Sequence, residues 1–122
     1  MSESFFSLFS PQDIAKISAA GTRVSLPEGW SPIWEDTPAD KAYIILSGQV
    51  SVRRDGDEVA RLSDGDIVGE AAILNRSLRN ASIVALTPLD LIHLSPEALL
   101  RLYVEMPAFH EALEKTTAAR VS

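Results

Sequence analysis

The chain has 122 residues, of which 46% are apolar and 23% are charged, and its formal net charge is −6 at pH 7. This length and balance are typical of one globular domain with a hydrophobic core. The acidic charge argues against a protein that binds nucleic acid over its whole surface. The lack of cysteine excludes disulfides, zinc–thiolate sites and a thiol nucleophile. No apolar run is long enough to span a membrane, and residues 1–10 lack the basic region of a signal peptide. We therefore expect a small cytoplasmic protein that binds or regulates something else.

Residues 1–21 are predicted to form an N-terminal helical segment. Ser10 followed by Pro11 is a typical helix start, because a serine hydroxyl can cap free N–H groups and proline suits the first helical position. Apolar residues then recur at helical spacing as far as Gly21, which is expected to end the helix. The four apolar residues before this helix are predicted to pack on the domain as a plug or short helix: Phe5, Phe6, Leu8 and Phe9.

From Thr22 onward the apolar residues alternate with polar ones, as they do in strands that have one face on a core. Short runs of this kind are separated by turns rich in glycine and aspartate. The turn at residues 54–57 is a strong hairpin signal, because Asp-Gly tolerates the positive φ angles of tight turns. The pattern predicts an all-β sandwich or barrel of about eight strands over residues 22–94.

Two helices are predicted over residues 95–122. Ser95 followed by Pro96 repeats the serine–proline helix start, and Pro107 is expected to end the first helix and begin the second, over 108–119. The apolar face of the first helix is predicted to consist of Leu99, Leu100, Leu102, Tyr103 and Met106, and that of the second to include Phe109 and Leu113. With no linker or repeat in the chain, residues 1–122 are predicted to form a single domain.

The segment over residues 65–84 is unusual inside a β domain. A strand is predicted to end at Gly69 and a short helix to begin at Glu70, and the free backbone N–H groups of a helix N-terminus attract anions. Arg79, at the far end of the following loop, carries the forked donors that pair with phosphate. The Glu70 carboxylate only accepts hydrogen bonds, so beside a phosphate its natural partner is a sugar hydroxyl. Together these groups suit a small ribose phosphate.

In these residues the chain resembles the cyclic nucleotide-binding domain family, found in catabolite activator proteins, protein kinase A regulatory subunits and cyclic nucleotide-gated channels. Residues 67–84 resemble its phosphate-binding cassette, with Gly69, Glu70 and Arg79 in register. Residues 42–52 resemble its strand pair around a serine–glycine turn. The resemblance covers about residues 5–115. It implies a mainly β fold with flanking helices: an eight-stranded β-roll, or jelly roll, over 22–94, with an N-terminal helix and two C-terminal helices.

The resemblance also implies a role for each matching residue. Glu70 would accept a hydrogen bond from the ribose 2′-hydroxyl, and Arg79 would pair with the cyclic phosphate. Backbone groups around them would line the ribose–phosphate end, with Asn80 or Ala81 donating to the phosphate, and apolar strand residues would form a wall beside the base. The further implied ligand-binding residues are Gly69, Ala71, Ala72, Asn80 and Ala81 at the phosphate end, and Val52, Val59 and Ile33 in the wall.

The function implied is that of a regulatory module without catalysis, which binds cAMP or, alternatively, cGMP. Ligand binding would move the C-terminal helices and so control a partner protein or a fused effector domain. We expect no separate cofactor or metal, no nucleic acid partner and no membrane span, and a monomer or weak homodimer. A degenerate fold that binds no nucleotide and acts as a protein-interaction module is the alternative. A cupin-type metal enzyme is disfavoured, because such sites need several convergent histidines and the chain has 2.

Several residues have competing interpretations. Arg76 could replace Arg79 as the phosphate ligand, although it lies outside the family register. Trp30 and Trp34 could stack on a base, but packing beneath the N-terminal helix is the favoured interpretation. His93 is predicted to be structural, and His110 is predicted to lie on a helix surface.

Overall fold

The structure is a computed structural model and describes residues 5–31, 33, 40–70, 73 and 81–120. A 3-10 helix at Phe5–Leu8 comes first, and the longer helices are α1 (Pro11–Ala20), α2 (Pro96–Glu105) and α3 (Pro107–Arg120). Between α1 and α2 lie the strands β1 (Thr22–Leu26), β2 (Ala42–Ser47), β3 (Val50–Arg54), β4 (Asp57–Leu62), β5 (Ile67–Val68), β6 (Ser82–Ala85) and β7 (Leu89–Leu94). In the described part of the chain, no helix is long and apolar enough to cross a membrane.

The strands form two antiparallel sheets, one in the order β1-β7-β2-β5 and the other in the order β4-β3-β6. This arrangement confirms the predicted mainly β fold with flanking helices. The described residues contain seven strands, whereas about eight were predicted. Ile33 forms an isolated antiparallel bridge to Ile83 of β6.

Two apolar clusters hold the molecule together. One lies between the two sheets and includes Ile45, Val50 and Leu91. The other lies between the β1-β7-β2-β5 sheet and the helices, and it includes Ile44 and Ile92. Since neighbouring residues of a strand point to opposite faces, β2 and β7 supply both clusters and are buried on both sides.

Both predicted serine caps are present. The Ser10 hydroxyl accepts a hydrogen bond from the Asp13 N–H at 3.2 Å, and the Ser95 hydroxyl accepts one from the Ala98 N–H at 3.1 Å. A proline occupies the first turn of each helix. These caps satisfy backbone donors that the helix itself leaves free, and they fix where α1 and α2 begin.

The predicted apolar plug is also confirmed. Phe5 lies in the 3-10 helix and is buried, with its ring edge-on to Phe9 at 5.0 Å and to Phe109 of α3 at 5.5 Å between centroids.

The predicted apolar face of α2 needs a correction at Leu100. Leu99 and Leu102 are buried, but Leu100 is 44% exposed, because one helical step turns it about 100° away from Leu99.

Gly21 ends α1 as predicted. Its backbone is not left-handed, since its φ angle is −114°. A Cβ at this position would lie 2.5 Å from Ile92 Cγ2 and 2.6 Å from the carbonyl oxygen of His93. Glycine is therefore needed because the chain passes very close to the backbone of β7.

Replacing Gly21 by alanine is expected to lower the free energy of unfolding by about 2–3 kcal/mol, because a methyl group at this position overpacks against backbone atoms. The matched control is Gly56→Ala. Gly56 has φ +85° and no atom within 4 Å of an added Cβ, so that substitution involves only backbone strain of about 1 kcal/mol. Urea unfolding of the two variants tests the difference, and equal losses would contradict the steric explanation.

Candidate ligand-binding site

The centre of the predicted site lies where β5 ends. Val68 and Ile67 pair with Tyr43 and Ile44 of β2, and Gly69 follows with φ +85°. This left-handed conformation is easily reached only by glycine, and it turns the chain directly from strand into the helical conformation of Glu70. The structure therefore has the predicted strand–turn–helix junction.

Glu70 is an acidic side chain that lies buried at the end of β5. It is 3% exposed, and among the described residues only Glu70 and Ser51 are both polar and fully buried. A buried carboxylate is costly unless it is paired, and Glu70 does have interaction partners. Its place at the start of a helical stretch is also favourable, because the helix dipole stabilises negative charge there. The molecule thus holds a carboxylate in a fixed, largely dehydrated position.

The segment that follows Glu70 connects the two sheets. It leaves from β5, at one edge of the first sheet, and returns at the buried residue Ala81, directly before β6 at the edge of the second sheet. Ile73, inside this segment, is helical and buried. The other predicted phosphate-end residues, and the alternative ligand Arg76, lie outside the described residues: Ala71, Ala72, Arg79 and Asn80.

The predicted apolar wall is only partly brought together. Ile33 is buried in the cluster between the sheets, and Val52 packs against the same cluster. Val59 is 53% exposed and is not part of that cluster. The reason is the position of β4 at the edge of its sheet, where residues 57–61 are all exposed. A β-bulge, in which Val52 pairs with Ala60 and Arg53 with Glu58, also leaves Val59 without a cross-strand partner.

Sequence reasoning missed a polar cluster on the outer face of β3 and β4. The buried Ser51 hydroxyl donates to Glu58 Oε1 at 2.7 Å, and Arg53 Nε donates to Ser51 Oγ at 3.1 Å. Arg61 Nε donates to Glu58 Oε1 at 3.0 Å. The hydrogen bond from Ser51, followed by that from Arg61, lowers the pKa of Glu58 below its usual value. These contacts join residues of neighbouring strands. In the sequence, the only feature that could have predicted them is the pair of opposite charges on the two sides of the 54–57 hairpin.

The aromatic residues and histidines have mixed outcomes. Trp30 is 59% exposed, so the prediction that it packs beneath the N-terminal helix is wrong, whereas Trp34 lies outside the described residues. Trp30 belongs to the turn after β1, and its backbone pairs with Ala85 of β6 while its ring faces solvent. His93 lies in β7 with its ring edge-on to Tyr43, as expected of a structural residue. His110 lies on the surface of α3, as predicted.

The two-sheet roll and its strand–turn–helix junction are the features of a ligand-binding jelly roll. The sequence model of the family described as "Cyclic nucleotide-binding domain" matches residues 23–106. The chain belongs to this family.

The similar proteins include a bacterial and a fungal regulator. The chain is 28% identical over 116 residues to the CRP-like cAMP-activated global transcriptional regulator of Mycobacterium tuberculosis, covering 91% of this chain and 52% of the relative. It is 35% identical over 98 residues to the cAMP-dependent protein kinase regulatory subunit of Aspergillus niger, covering 79% of this chain and 24% of the relative. The crystal structure of the Thermus thermophilus catabolite activator protein superposes with a TM-score of 0.83 at 26% identity, covering 95% of this chain and 57% of that one. The chain thus spans about half or less of the length of these relatives.

Proposed function

We propose that this chain is a regulatory domain that binds a cyclic nucleotide, with cAMP preferred over cGMP, and has no catalytic activity of its own. The observation that carries the proposal is the junction at Gly69 and Glu70. It fixes a buried carboxylate at the start of a helical stretch, directly after β5 at the edge of the first sheet. A fixed, dehydrated acceptor of this kind is suited to a neutral donor such as a ribose hydroxyl.

In the proposed complex the ligand is recognised at both ends. Glu70 accepts a hydrogen bond from the ribose 2′-hydroxyl, and Arg79 pairs with the cyclic phosphate through two parallel hydrogen bonds. The backbone N–H groups after Gly69 add donors to the phosphate side. Val52 and Ile33, which meet in the cluster between the sheets, contact the base through apolar surface.

The preference for cAMP is supported by two relatives. The Mycobacterium tuberculosis regulator is described as cAMP-activated, and the Aspergillus niger protein as the regulatory subunit of a cAMP-dependent kinase. Both descriptions concern regulators whose chains extend well beyond the matched region. We accordingly propose that this domain controls a partner protein or a fused effector domain.

The proposed route of regulation passes through Ile73. This residue follows Glu70 by three positions and lies in the same apolar cluster as Leu99 and Leu102 of α2 and Phe109 of α3. Close-packed side chains transmit displacements, because the core has few voids that could absorb them. A ligand that shifts the helical stretch at Glu70 therefore also shifts the C-terminal helices.

Isothermal titration calorimetry of the purified chain with cAMP and with cGMP tests the proposal. We expect micromolar or tighter binding of cAMP and weaker binding of cGMP. Glu70→Gln is expected to weaken cAMP binding by about 10-fold to 150-fold, because the ribose hydroxyl loses a charged acceptor. Glu28→Gln, at an exposed position in the turn after β1, is the matched control and should bind as the unchanged protein does.

Three results would count against the proposal. If neither cAMP nor cGMP releases or absorbs heat on titration, the proposal is overturned, and the alternative of a protein-interaction module that binds no nucleotide is favoured. Tighter binding of cGMP would overturn the base preference. Equal affinities for the Glu70→Gln and Glu28→Gln variants would show that the Glu70 carboxylate does not contact the ligand.

A further inference from the structure

A single residue joins the two C-terminal helices. Met106 lies between Glu105, the end of α2, and Pro107, the start of α3, with φ −118° and ψ 97°. Its N–H donates to the Leu102 carbonyl at 3.0 Å, and its own carbonyl accepts from the N–H groups of Phe109 at 3.0 Å and His110 at 3.1 Å. Pro107 has no N–H with which to continue α2. Backbone rotation at Met106 alone would therefore change the angle between α2 and α3.

Side chains on both helices meet across this joint. Tyr103 of α2 stacks on His110 of α3, with ring centroids 4.1 Å apart and planes inclined by 29°. The Tyr103 hydroxyl donates to Glu114 Oε1 at 2.6 Å, and His110 Nε2 lies 3.7 Å from the same oxygen. The phenol of Tyr103 is a donor at neutral pH, as in an ordinary tyrosine, and the hydrogen bond to Glu114 raises its pKa further. Tyr103 and His110 thus stack on each other, and both approach the same carboxylate oxygen of Glu114.

The opposite side of α3 is held by apolar contacts. Phe109 and Leu113, which precede His110 and Glu114 by one position each, are fully buried. The Phe109 ring contacts Phe5, and it also contacts Phe9 at 6.2 Å between centroids. On its inner side, α3 therefore packs against the N-terminal segment and shares an apolar cluster with Leu99 and Leu102 of α2. On its outer side, the contacts of Tyr103 with His110 and Glu114 join α3 to α2 and add to the resistance against rotation at Met106.

We propose that Tyr103, His110 and Glu114 form a clamp that makes α2 and α3 move as one unit. With the clamp closed, a displacement of α2 that begins in the β-roll is passed to α3. With the clamp open, the same displacement is absorbed at Met106. The clamp is a property of the protein alone, and only its role in transmitting a ligand signal rests on the proposed function.

Amide hydrogen exchange of the chain without nucleotide tests the clamp. Tyr103→Phe removes the donor and keeps the ring stack, and we expect the amides of α3 to exchange about three-fold to ten-fold faster. Amides of α2 and of the strands should keep their rates. Glu111→Gln, at an exposed position of α3, is the matched control and should leave the rates of α3 unchanged. Wild-type rates in the Tyr103→Phe variant, or a uniform increase over all elements, would overturn the clamp.

A double-mutant cycle tests whether the effect belongs to the Tyr103–Glu114 contact. Glu114→Ala alone should accelerate exchange in α3, and adding Tyr103→Phe to it should have little further effect, because both changes remove the same hydrogen bond. Fully additive effects would show that the two side chains act independently and would overturn the proposal.

Spin-label distances test the transmission step. The chain has 0 cysteines, so the pair Arg101→Cys and Lys115→Cys places labels only at exposed positions of α2 and α3. We expect one narrow distance distribution that cAMP leaves unchanged, and a broader one after Tyr103→Phe. If cAMP changes that distance in the labelled protein without the Tyr103→Phe substitution, α2 and α3 do not move as one unit and the proposal is overturned. If cAMP does not bind, the proposed function fails, and the exchange rates without nucleotide still decide the clamp.

Discussion

Replacing Arg79 by alanine is expected to weaken cAMP binding by about 30-fold to 150-fold, the largest effect of any single substitution on the ligand. The expectation follows from the proposed role of Arg79, which the family resemblance assigns to pairing with the cyclic phosphate. A bidentate contact between guanidinium and phosphate contributes about 2–3 kcal/mol, and alanine leaves the phosphate without this partner. Isothermal titration calorimetry measures the loss directly.

Arg76 provides the matched control for this experiment. It carries the same charge, three positions earlier in the same segment, so Arg76→Ala tests the general effect of removing positive charge near the site. We expect cAMP affinity to stay within about three-fold of that of the unchanged protein, because Arg76 lies outside the family register and a charge that does not contact the phosphate directly is screened by salt. Arg79→Lys should fall between the two, since lysine keeps the charge and loses the fork of donors. A larger loss with Arg76→Ala would assign the phosphate to Arg76.

Replacing Phe109 by alanine is expected to lower the free energy of unfolding by about 3–5 kcal/mol. Phe109 is fully buried, its ring contacts Phe5 and Phe9, and alanine would leave a cavity between α3 and the N-terminal segment. Domains of this size are commonly stable by only about 5–15 kcal/mol, so the loss takes a large share of the total. The midpoint and slope of urea unfolding measure it.

Val104→Ala is the control for Phe109→Ala. Val104 lies on α2 and is 79% exposed, so its truncation should change stability by less than about 0.5 kcal/mol. Phe109→Leu keeps an apolar side chain and should recover part of the stability that alanine loses. A loss below about 1 kcal/mol for Phe109→Ala would mean that the 3-10 helix does not pack on α3 in solution.

The features that could be predicted best from the sequence are those that depend only on residues close together in the chain. The serine–proline pairs at Ser10 and Ser95 predicted the starts of α1 and α2, because capping needs only the residue itself and the next turn. Gly69 beside Glu70 likewise predicted the junction at the end of β5, since both the turn and the helix start are local. The family resemblance then gave the fold and the candidate ligand.

Features that depend on distant parts of the chain were predicted less well. Val59 is exposed because β4 is an edge strand whose residues 57–61 are all exposed, and an alternating pattern cannot reveal which strand lies at the edge of a sheet. The turn that carries the exposed Trp30 pairs through its backbone with Ala85 at the end of β6, a strand of the other sheet, and the local sequence does not show this pairing. The collision that requires glycine at position 21 involves Ile92 and His93, about seventy residues away in the chain. The role of Arg79 stays a prediction.

The pairing of β1 with β7 also bears on how the chain folds as it is synthesised. Thr22 to Leu26 pair with Leu89 to His93, and β7 lies between β1 and β2 in the finished sheet. The ribosome must therefore release most of the chain before this sheet can assemble. Until then, β2 exposes an apolar strand with an unpaired edge, which is the kind of segment that chaperones bind and that aggregates when it is left free. We expect truncations that end before β7 to be insoluble, even though most of the strands are present in them.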